Sequence, residues 1–251
     1  MLDRLHEPPE GCFRIVAWNC QGDIAGKARY VMGLWPDLAV VPEAGPGALS
    51  NLSFEWSPSS AGMAGPYPEL GIFSFGETTL QTRDPHPGDA LSPAIVAKVH
   101  GRLPFTVLAV CARPTDSGPR YRRYAAALLA GIERHVEHLR GPVVVAGDFN
   151  TAAALDRARG MRAHLDVVDA LGELGLISAW HHLSGCEHGA ESRGTFHMYR
   201  HATSTPLHLD YCFVPTEWLP QLRMVWIGPP DPWLSRSDHL PLVVDVELAE
   251  A

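Results

Sequence analysis

The chain is 251 residues long (27.4 kDa), with 46% hydrophobic and 19% charged residues and a formal net charge of −8. This length fits one large domain or two small ones, and the composition allows a sizeable core. Gly and Pro, at 23 and 22 residues, are too few for a collagen or a low-complexity chain. The acidic balance suits a divalent cation, whereas binding of a nucleic acid would require a local basic patch.

The cysteines and the N-terminus point to a reduced environment. There are five cysteines, an odd number, and no two are spaced as CxxC, so neither a disulfide framework nor a zinc pattern is indicated. Residues 1–12 have no apolar core, which is not typical of a signal peptide, and no apolar run reaches the roughly 18 residues of a membrane span. We therefore expect a cytoplasmic protein with no membrane association and no obligate protein partner, made of a loose arm (1–12) and one domain (13–251).

Apolar runs and helical spacing predict alternating strands and helices. A glycine-rich step at Gly101-Arg102 favours a hairpin between two of the strands, and residues 44–70, rich in Gly, Pro and Ser, are expected to form a long loop. The predicted strands are 13–18, 37–43, 71–75, 93–100, 103–112, 142–150, 208–215 and 241–248, and the predicted helices are 24–35, 119–141 and 163–176. Strands mixed with hairpins and helices indicate mixed sheets covered by helices.

Polar residues follow several of these apolar runs at the end of the strand. They are Asn19, Glu43, Asp148, Asn150, Asp210, Asp238 and His239. A carboxylate at a strand end is held rigidly and faces a crevice, as a metal or catalytic site requires. Mg²⁺ prefers carboxylate and amide oxygens, so Glu43, Asp148 and Asp238 would serve it, with Asn19 and Asn150 as neutral donors.

Each of these residues also has an ordinary structural interpretation. Asp148 and Asn150 could cap a helix or form a turn, Glu43 could be a surface charge, and Asp210 could satisfy a nearby donor. The order of the motifs along the chain carries more weight than any single one.

This ordered set resembles the endonuclease/exonuclease/phosphatase family. The matching segments are WNCQG (18–22), PDLAVVPE (36–43), GDFN (147–150), HLDY (208–211) and SDHLP (237–241). The resemblance implies a four-layer α/β sandwich, in which two packed mixed β-sheets are flanked by helices. It also implies a phosphate-ester substrate, with a nucleic acid as one candidate, and Mg²⁺ as the cofactor, with Mn²⁺ as the alternative ion.

The resemblance assigns roles to the matching positions. Glu43 is expected to be the principal metal ligand, Asn19 to help hold the metal site and Asp238 to be a direct or indirect metal residue. Asp148 would orient or deprotonate the attacking water, and Asn150 would donate to that water or to the phosphate. His239, oriented by Asp210, would bind the phosphate.

Two positions depart from the family pattern. Gln21 stands where DNA-repair members carry an aspartate, and Cys111 or Ala112 stands where many relatives carry a histidine. Arg113, and Tyr121 or Tyr124, are candidates to replace that histidine at the substrate.

Three further segments have both a functional and an ordinary interpretation. Thr195 could contact phosphate or be a plain strand threonine. The segment 180–182 (Trp-His-His) could line a cleft or be a half-buried strand end, and the arginines at 120, 122 and 123 could bind phosphates or form a solvated helix face.

Three functions remain open on the sequence. The first is a metal-dependent phosphodiesterase of the nuclease type, and the second is a phosphatase or diesterase for a small or lipid-derived phosphate. The third, a non-catalytic binding module, is disfavoured because the full set of site residues is present.

Overall fold

Strands and helices alternate along the part of the chain that the computed structural model describes. That part is residues 5–45, 70–82, 94–112, 120–203 and 205–248, with only the backbone described at 120 and 121. The strands are β1 (Cys12–Ala17), β2 (Leu38–Val41), β3 (Gly71–Ser74), β4 (Thr79–Thr82), β5 (Ala94–His100), β6 (Phe105–Cys111), β7 (Val143–Asp148), β8 (Leu176–Ser178), β9 (Asp210–Pro215), β10 (Leu222–Ile227) and β11 (Leu242–Glu247). The helices are α1 (Ile24–Met32), α2 (Arg120–His135), α3 (Ala153–Arg159), α4 (Ala163–Glu173), α5 (Ala179–Ser184) and α6 (Pro230–Trp233).

The described strands form two mixed sheets. The first sheet has the order β10-β11-β1-β2-β3, with β1 and β2 parallel and its other neighbours antiparallel. The second has the order β4-β5-β6-β7-β9-β8, with β6 and β7 as its parallel pair. The predicted hairpin is confirmed, since β5 and β6 pair antiparallel around Gly101, whose φ is 119°.

Strand β7 shows how the layers pack. Its side chains alternate: Val144 and Ala146 join a core cluster that also contains residues of the first sheet, while Val143 and Val145 pack with α2 and α4. Because successive strand residues face opposite sides, a strand buried on both faces is apolar throughout. Helix α1 contributes Ile24 and Val31 to the core cluster that contains the strands of the first sheet. The fold is therefore the predicted four-layer α/β sandwich.

A buried ion pair joins the two strands at the centre of the first sheet. Arg14 of β1 donates from Nε and Nη2 to the carboxylate of Asp245 on β11, at 2.6 and 2.7 Å, and both residues are about 1% exposed. Its Nη1 donates to the carbonyls of Leu34 and His6. The bond to His6 and the packing of Leu5 on the core attach part of the predicted loose arm (1–12) to the domain. The last residue of that arm, Cys12, is the first residue of β1.

The element boundaries differ from the predictions at several points. The long helix predicted over 119–141 ends at His135 and is followed by a 3₁₀ turn, Val136–His138. The Trp-His-His segment belongs to α5 and is not a strand end. The short elements β4, β8, β10, α3, α5 and α6 were not predicted. Most of the predicted loop at 44–70 lies outside the described residues.

None of the helices in the described ranges combines the length and the apolar character that crossing a bilayer demands.

Candidate active site

The sheet topology brings the predicted site residues to one edge of the sandwich. Asp148 is the last residue of β7 and Asp210 the first of β9, and the two are direct cross-strand partners in the antiparallel pair. In the first sheet, Ala17 pairs with Leu242, so the end of β1 that leads to Asn19 lies beside the start of β11, just after His239. Both sheets therefore deliver polar residues to the same edge.

Gly147 makes the approach of Asp148 possible. Its φ is 132°, and a Cβ atom at this position would lie 2.0 Å from the carbonyl oxygen of Val110 on the neighbouring strand. Only glycine tolerates both the backbone conformation and the close contact. The glycine of the GDFN motif thus has a structural reason to precede the carboxylate.

Three hydrogen bonds fix the carboxylate of Asp148, which is 1% exposed. Its Oδ2 accepts from Asn19 Nδ2 and Asn150 Nδ2, both at 2.9 Å, and its Oδ1 accepts from the backbone N–H of Asn150 at 2.9 Å. Burial raises the pKa of Asp148 to about 7, with Asp210 adding to the rise and His239 opposing it. The carboxylate is therefore held in one orientation, with its pKa above the usual value.

His239 lies between the acidic groups. Its Nδ1 donates to Asp210 Oδ2 at 2.7 Å, and its Nε2 lies 4.0 Å from a carboxylate oxygen of both Asp148 and Asp238. Burial alone would lower the pKa of His239, but Asp210 and then Asp148 outweigh it and raise the pKa to about 10. The ring is therefore a buried cation at neutral pH, and Asp210 fixes its orientation.

Two side chains behind the site hold its two halves together. Ser237 Oγ donates to the carbonyl of Asn19 at 2.6 Å and accepts from the backbone N–H of His239 at 3.0 Å. Trp18 Nε1 donates to the carbonyl of His239 at 3.0 Å. Sequence reasoning gave neither residue a role, although both lie inside the quoted motifs.

The donor set at this edge fits a divalent cation. Asp148 and Asp210 each have a carboxylate oxygen within 4.8 Å of the other's and of a ring nitrogen of His239, and Asp210 Oδ1 is buried without a hydrogen-bond partner among the described residues. Carboxylate oxygens in this density suit a hard ion such as Mg²⁺.

The residues predicted as metal ligands lie around this group. Glu43 is half-buried and does not belong to the Asp148–Asp210–His239 group. Its backbone carbonyl accepts a hydrogen bond at 2.7 Å from the N–H of Gly22, three residues after Asn19. The Oδ1 atom of Asn19 accepts from Gln21 N at 3.0 Å. Asp238 has a side chain that is 21% exposed, so it is the most open of the three aspartates.

Thr195, predicted as a phosphate contact, lies beneath the HLDY segment. It is fully buried, and its Oγ1 accepts from the backbone N–H groups of Leu209 and Asp210 at 3.1 and 3.0 Å. Thr195 therefore supports the HLDY segment from behind, and its contact with the phosphate stays a prediction.

The other predicted substrate and catalytic residues divide into three outcomes. The side-chain amide of Asn150 donates to Asp148 Oδ2 at 2.9 Å and to the carbonyl of Ala112 at 3.1 Å, so it helps to position Asp148. Arg113 lies outside the described residues, and of Tyr121 only the backbone in α2 is described. Cys111 is 1% exposed and pairs with Asp148 across β6 and β7.

Comparisons with known proteins agree with this fold. The sequence profile of the Endonuclease/Exonuclease/phosphatase family matches residues 16–239. No curated protein sequence matches the chain significantly.

Several solved structures share the fold. The endonuclease domain of TRAS1, a telomere-specific non-LTR retrotransposon, gives a TM-score of 0.66 at 18% identity, covering 95% of this chain and 100% of that one. The 3′ phosphatase NExo from Neisseria, bound to product DNA hairpin, gives 0.69 at 20% identity, covering 93% and 99%. An AP endonuclease from Archaeoglobus fulgidus gives 0.66 at 19% identity, covering 94% and 99%.

At these identities the structural neighbours establish the fold alone. The profile match spans most of the chain and includes every motif from WNCQG to the histidine of SDHLP. The chain therefore belongs to the endonuclease/exonuclease/phosphatase family.

Proposed function

We propose that this protein is a divalent-metal-dependent phosphodiesterase of the nuclease type, which cleaves its substrate by in-line attack of water at phosphorus. Members of its family are divalent-metal-dependent hydrolases of phosphate esters. The observation that carries the proposal is the buried Asp148–His239–Asp210 group, in which the His239 ring lies between two carboxylates at one edge of both sheets.

His239 is proposed to bind the phosphate. Its Nδ1–H is committed to Asp210, so the protonated ring presents Nε2–H at the open end. A charge-assisted donor of this kind stabilises the negative charge on a phosphoryl oxygen, and the pair with Asp210 keeps the ring charged and oriented.

Asp148 is proposed to orient the attacking water and accept its proton. Asn19 and Asn150 hold both of its oxygens in place, so little reorientation is needed during attack. The raised pKa makes Asp148 a stronger base than an ordinary aspartate, as a general base that works near neutral pH requires.

Glu43, Asn19 and Asp238 are the residues proposed to hold the divalent ion. When bound, the ion supplies stabilisation of negative charge on the phosphate oxygens. The buried carboxylates beside it supply the negative charge that such an ion requires.

A nucleic acid is the proposed substrate class. The structural neighbours named above include endonucleases and a phosphatase bound to a DNA hairpin. The chain is acidic, so phosphate binding must be local, and an exposed cation is present beside the site: Arg200 Nε donates to Gln21 Oε1 at 2.9 Å. The turn that carries Arg200 is joined to the site by the bond from His197 N to the carbonyl of Asp238.

A substrate panel tests the proposal. Plasmid DNA, single-stranded DNA, RNA, bis-p-nitrophenyl phosphate and p-nitrophenyl phosphate are incubated with the purified protein and Mg²⁺, each with and without EDTA. Cleavage of a nucleic acid and of the diester, abolished by EDTA and by Glu43→Gln, is expected. Cleavage of the monoester alone would replace this proposal with a phosphatase, and activity that persists in EDTA would overturn the metal dependence.

A further inference from the structure

A second group of polar residues lies on the other face of the second sheet. Tyr211 of β9 packs against the rings of His181 and His188, with centroid distances of 6.1 Å in both cases. Adjacent residues of a strand face opposite sides, so this group lies across the sheet from Asp210. It is therefore separate from the Asp148–Asp210–His239 group, whose end of the sandwich is called the catalytic edge below.

We propose that His181, His188 and Glu191 form a second metal site, which takes a first-row transition ion of the zinc type. Each residue offers a ligand atom within 4.8 Å of the other two, and His181 Nε2 lies 3.1 Å from Glu191 Oε1. His181 comes from α5 and the other two from the loop that follows it, so a short stretch of chain supplies the whole set.

The second ring nitrogen of each histidine is hydrogen-bonded, as it usually is in metal-binding histidines. Ligand histidines commonly use their second ring nitrogen in a hydrogen bond that fixes their orientation. Here His181 Nδ1 lies 2.8 Å from Ser178 Oγ, and His188 Nδ1 lies 3.1 Å from His164 Nε2. His164 is in turn held by Thr151 Oγ1 at 2.9 Å.

A neighbouring histidine gives an independent sign of a missing ligand. His208 Nδ1 lies 3.2 Å from the carbonyl oxygen of Arg193, and because a carbonyl can only accept, Nδ1 carries the proton. The lone pair on His208 Nε2 is therefore buried, in a residue that is 2% exposed, with no hydrogen-bond partner among the described residues. The ring lies edge-on to His181, with centroids 5.5 Å apart.

Hydrogen bonds also position Glu191. The backbone N–H of Gly189 donates to Glu191 Oε1 at 2.8 Å, and the same oxygen lies 3.1 Å from His181 Nε2. The carboxylate is therefore held beside the ring of His181.

The site is open to an incoming ion, and its donors select the ion. His181 and His188 line a cleft of about 860 Å³, together with Ser178, Cys186 and Glu187. Imidazole with carboxylate is a donor set found in zinc proteins, whereas Mg²⁺ and Ca²⁺ prefer oxygen ligands. The proposed site therefore discriminates against the ion expected at the catalytic edge.

Competition between ions tests the proposal on the full-length protein. The metal-free protein is saturated with Mg²⁺ to fill the catalytic edge and then titrated with Co²⁺, whose visible absorption reports a nitrogen-containing site. One equivalent of Co²⁺ is expected to bind and to be displaced by Zn²⁺. His188→Gln and Glu191→Gln are each expected to weaken binding by at least about tenfold.

A matched control is available in the same segment. His182 lies outside the ligand group, so His182→Gln is expected to bind Co²⁺ like the parent protein. Equal binding by all three variants, or no binding to the parent protein in Mg²⁺, would overturn the proposal.

X-ray absorption of the zinc-loaded parent protein tests the same proposal without a variant. A first shell containing imidazole nitrogens is expected, and a shell made of oxygens alone would overturn it.

Discussion

Replacing Asp210 with asparagine is expected to lower the pKa of His239 and shift the alkaline limb of the pH–rate profile downward. The asparagine keeps the size of the side chain and an oxygen that can accept from His239 Nδ1, at the position where the bond is now 2.7 Å. What it removes is the negative charge that contributes most to raising the pKa of this buried ring. The active form is the cation, so activity is expected to disappear at a lower pH than in the parent enzyme.

The size of the shift follows from the charge that is removed. An unperturbed histidine has a pKa of about 6.5, and His239 is raised to about 10 although burial opposes the rise. A single opposite charge in direct contact shifts a pKa by about 1–3 units. We therefore expect the pKa of His239 to fall by about 1–3 units, or about 1.4–4 kcal/mol of lost stabilisation of the cation.

Two measurements check this expectation. The ring of His239 is titrated by NMR in the metal-free protein, and the pH–rate profile is recorded with saturating Mg²⁺. Asp238→Asn is the matched control, because its carboxylate lies 4.0 Å from Nε2 and is 21% exposed, so a smaller shift is expected. An unchanged ring pKa in Asp210→Asn, or equal shifts in both variants, would refute the role of Asp210.

The other predictions concern stability and the departure at position 111. Arg14→Met leaves Asp245 buried without its partner and is expected to lower the free energy of unfolding, measured with urea, by about 3–5 kcal/mol. Arg223→Met removes an exposed ion pair and should leave the urea midpoint almost unchanged. Equal midpoints for the two variants would contradict this reasoning. Gly147→Ala is expected to yield little soluble folded protein, since its Cβ would lie 2.0 Å from a backbone oxygen; normal circular dichroism would contradict the structure there. Cys111→Ala is expected to retain activity within a few-fold, because a buried thiol lacks the cationic form of an imidazole; loss of turnover would show that Cys111 has a direct role.

The parts of the site that sequence could predict are those at the ends of apolar strands. Asp148, Asp210 and His239 each border a run of buried residues, and such runs make the position and direction of a strand recognisable. Once these ends lie at one edge, the polar residues must meet there. For this reason the sequence predicted one shared site for these three side chains, although they are distant along the chain. In the structure a polar atom of each lies within 4.8 Å of the other two.

Residues whose role depends on which face they occupy could not be predicted. Thr195 is suitable for a phosphate contact, yet its hydroxyl is buried beneath the HLDY segment. Arg14 interrupts an apolar strand, and its partner Asp245 is 231 positions away, so no local pattern connects them. The register between β1 and β11 decides this pairing.

Short elements and clusters built from several segments were missed for a related reason. Strands such as β4 and β8 have four and three residues, too few for a periodic pattern to stand out. The histidines at 164, 181 and 188 come from two helices and a loop, and only the folded chain brings them together.

The rate at which the Asp148→Asn variant cleaves its substrate at saturating Mg²⁺ is the most direct test of the proposed chemistry. The measurement is the single-turnover rate on the best phosphodiester substrate, together with Mg²⁺ affinity and circular dichroism on the same variant. Asparagine keeps the shape but cannot take a proton from water, so the rate is expected to fall by about 10²–10⁴-fold while Mg²⁺ still binds and the fold is unchanged. A rate within a few-fold of the parent enzyme, or one restored by excess Mg²⁺, would contradict the proposal that Asp148 activates the water.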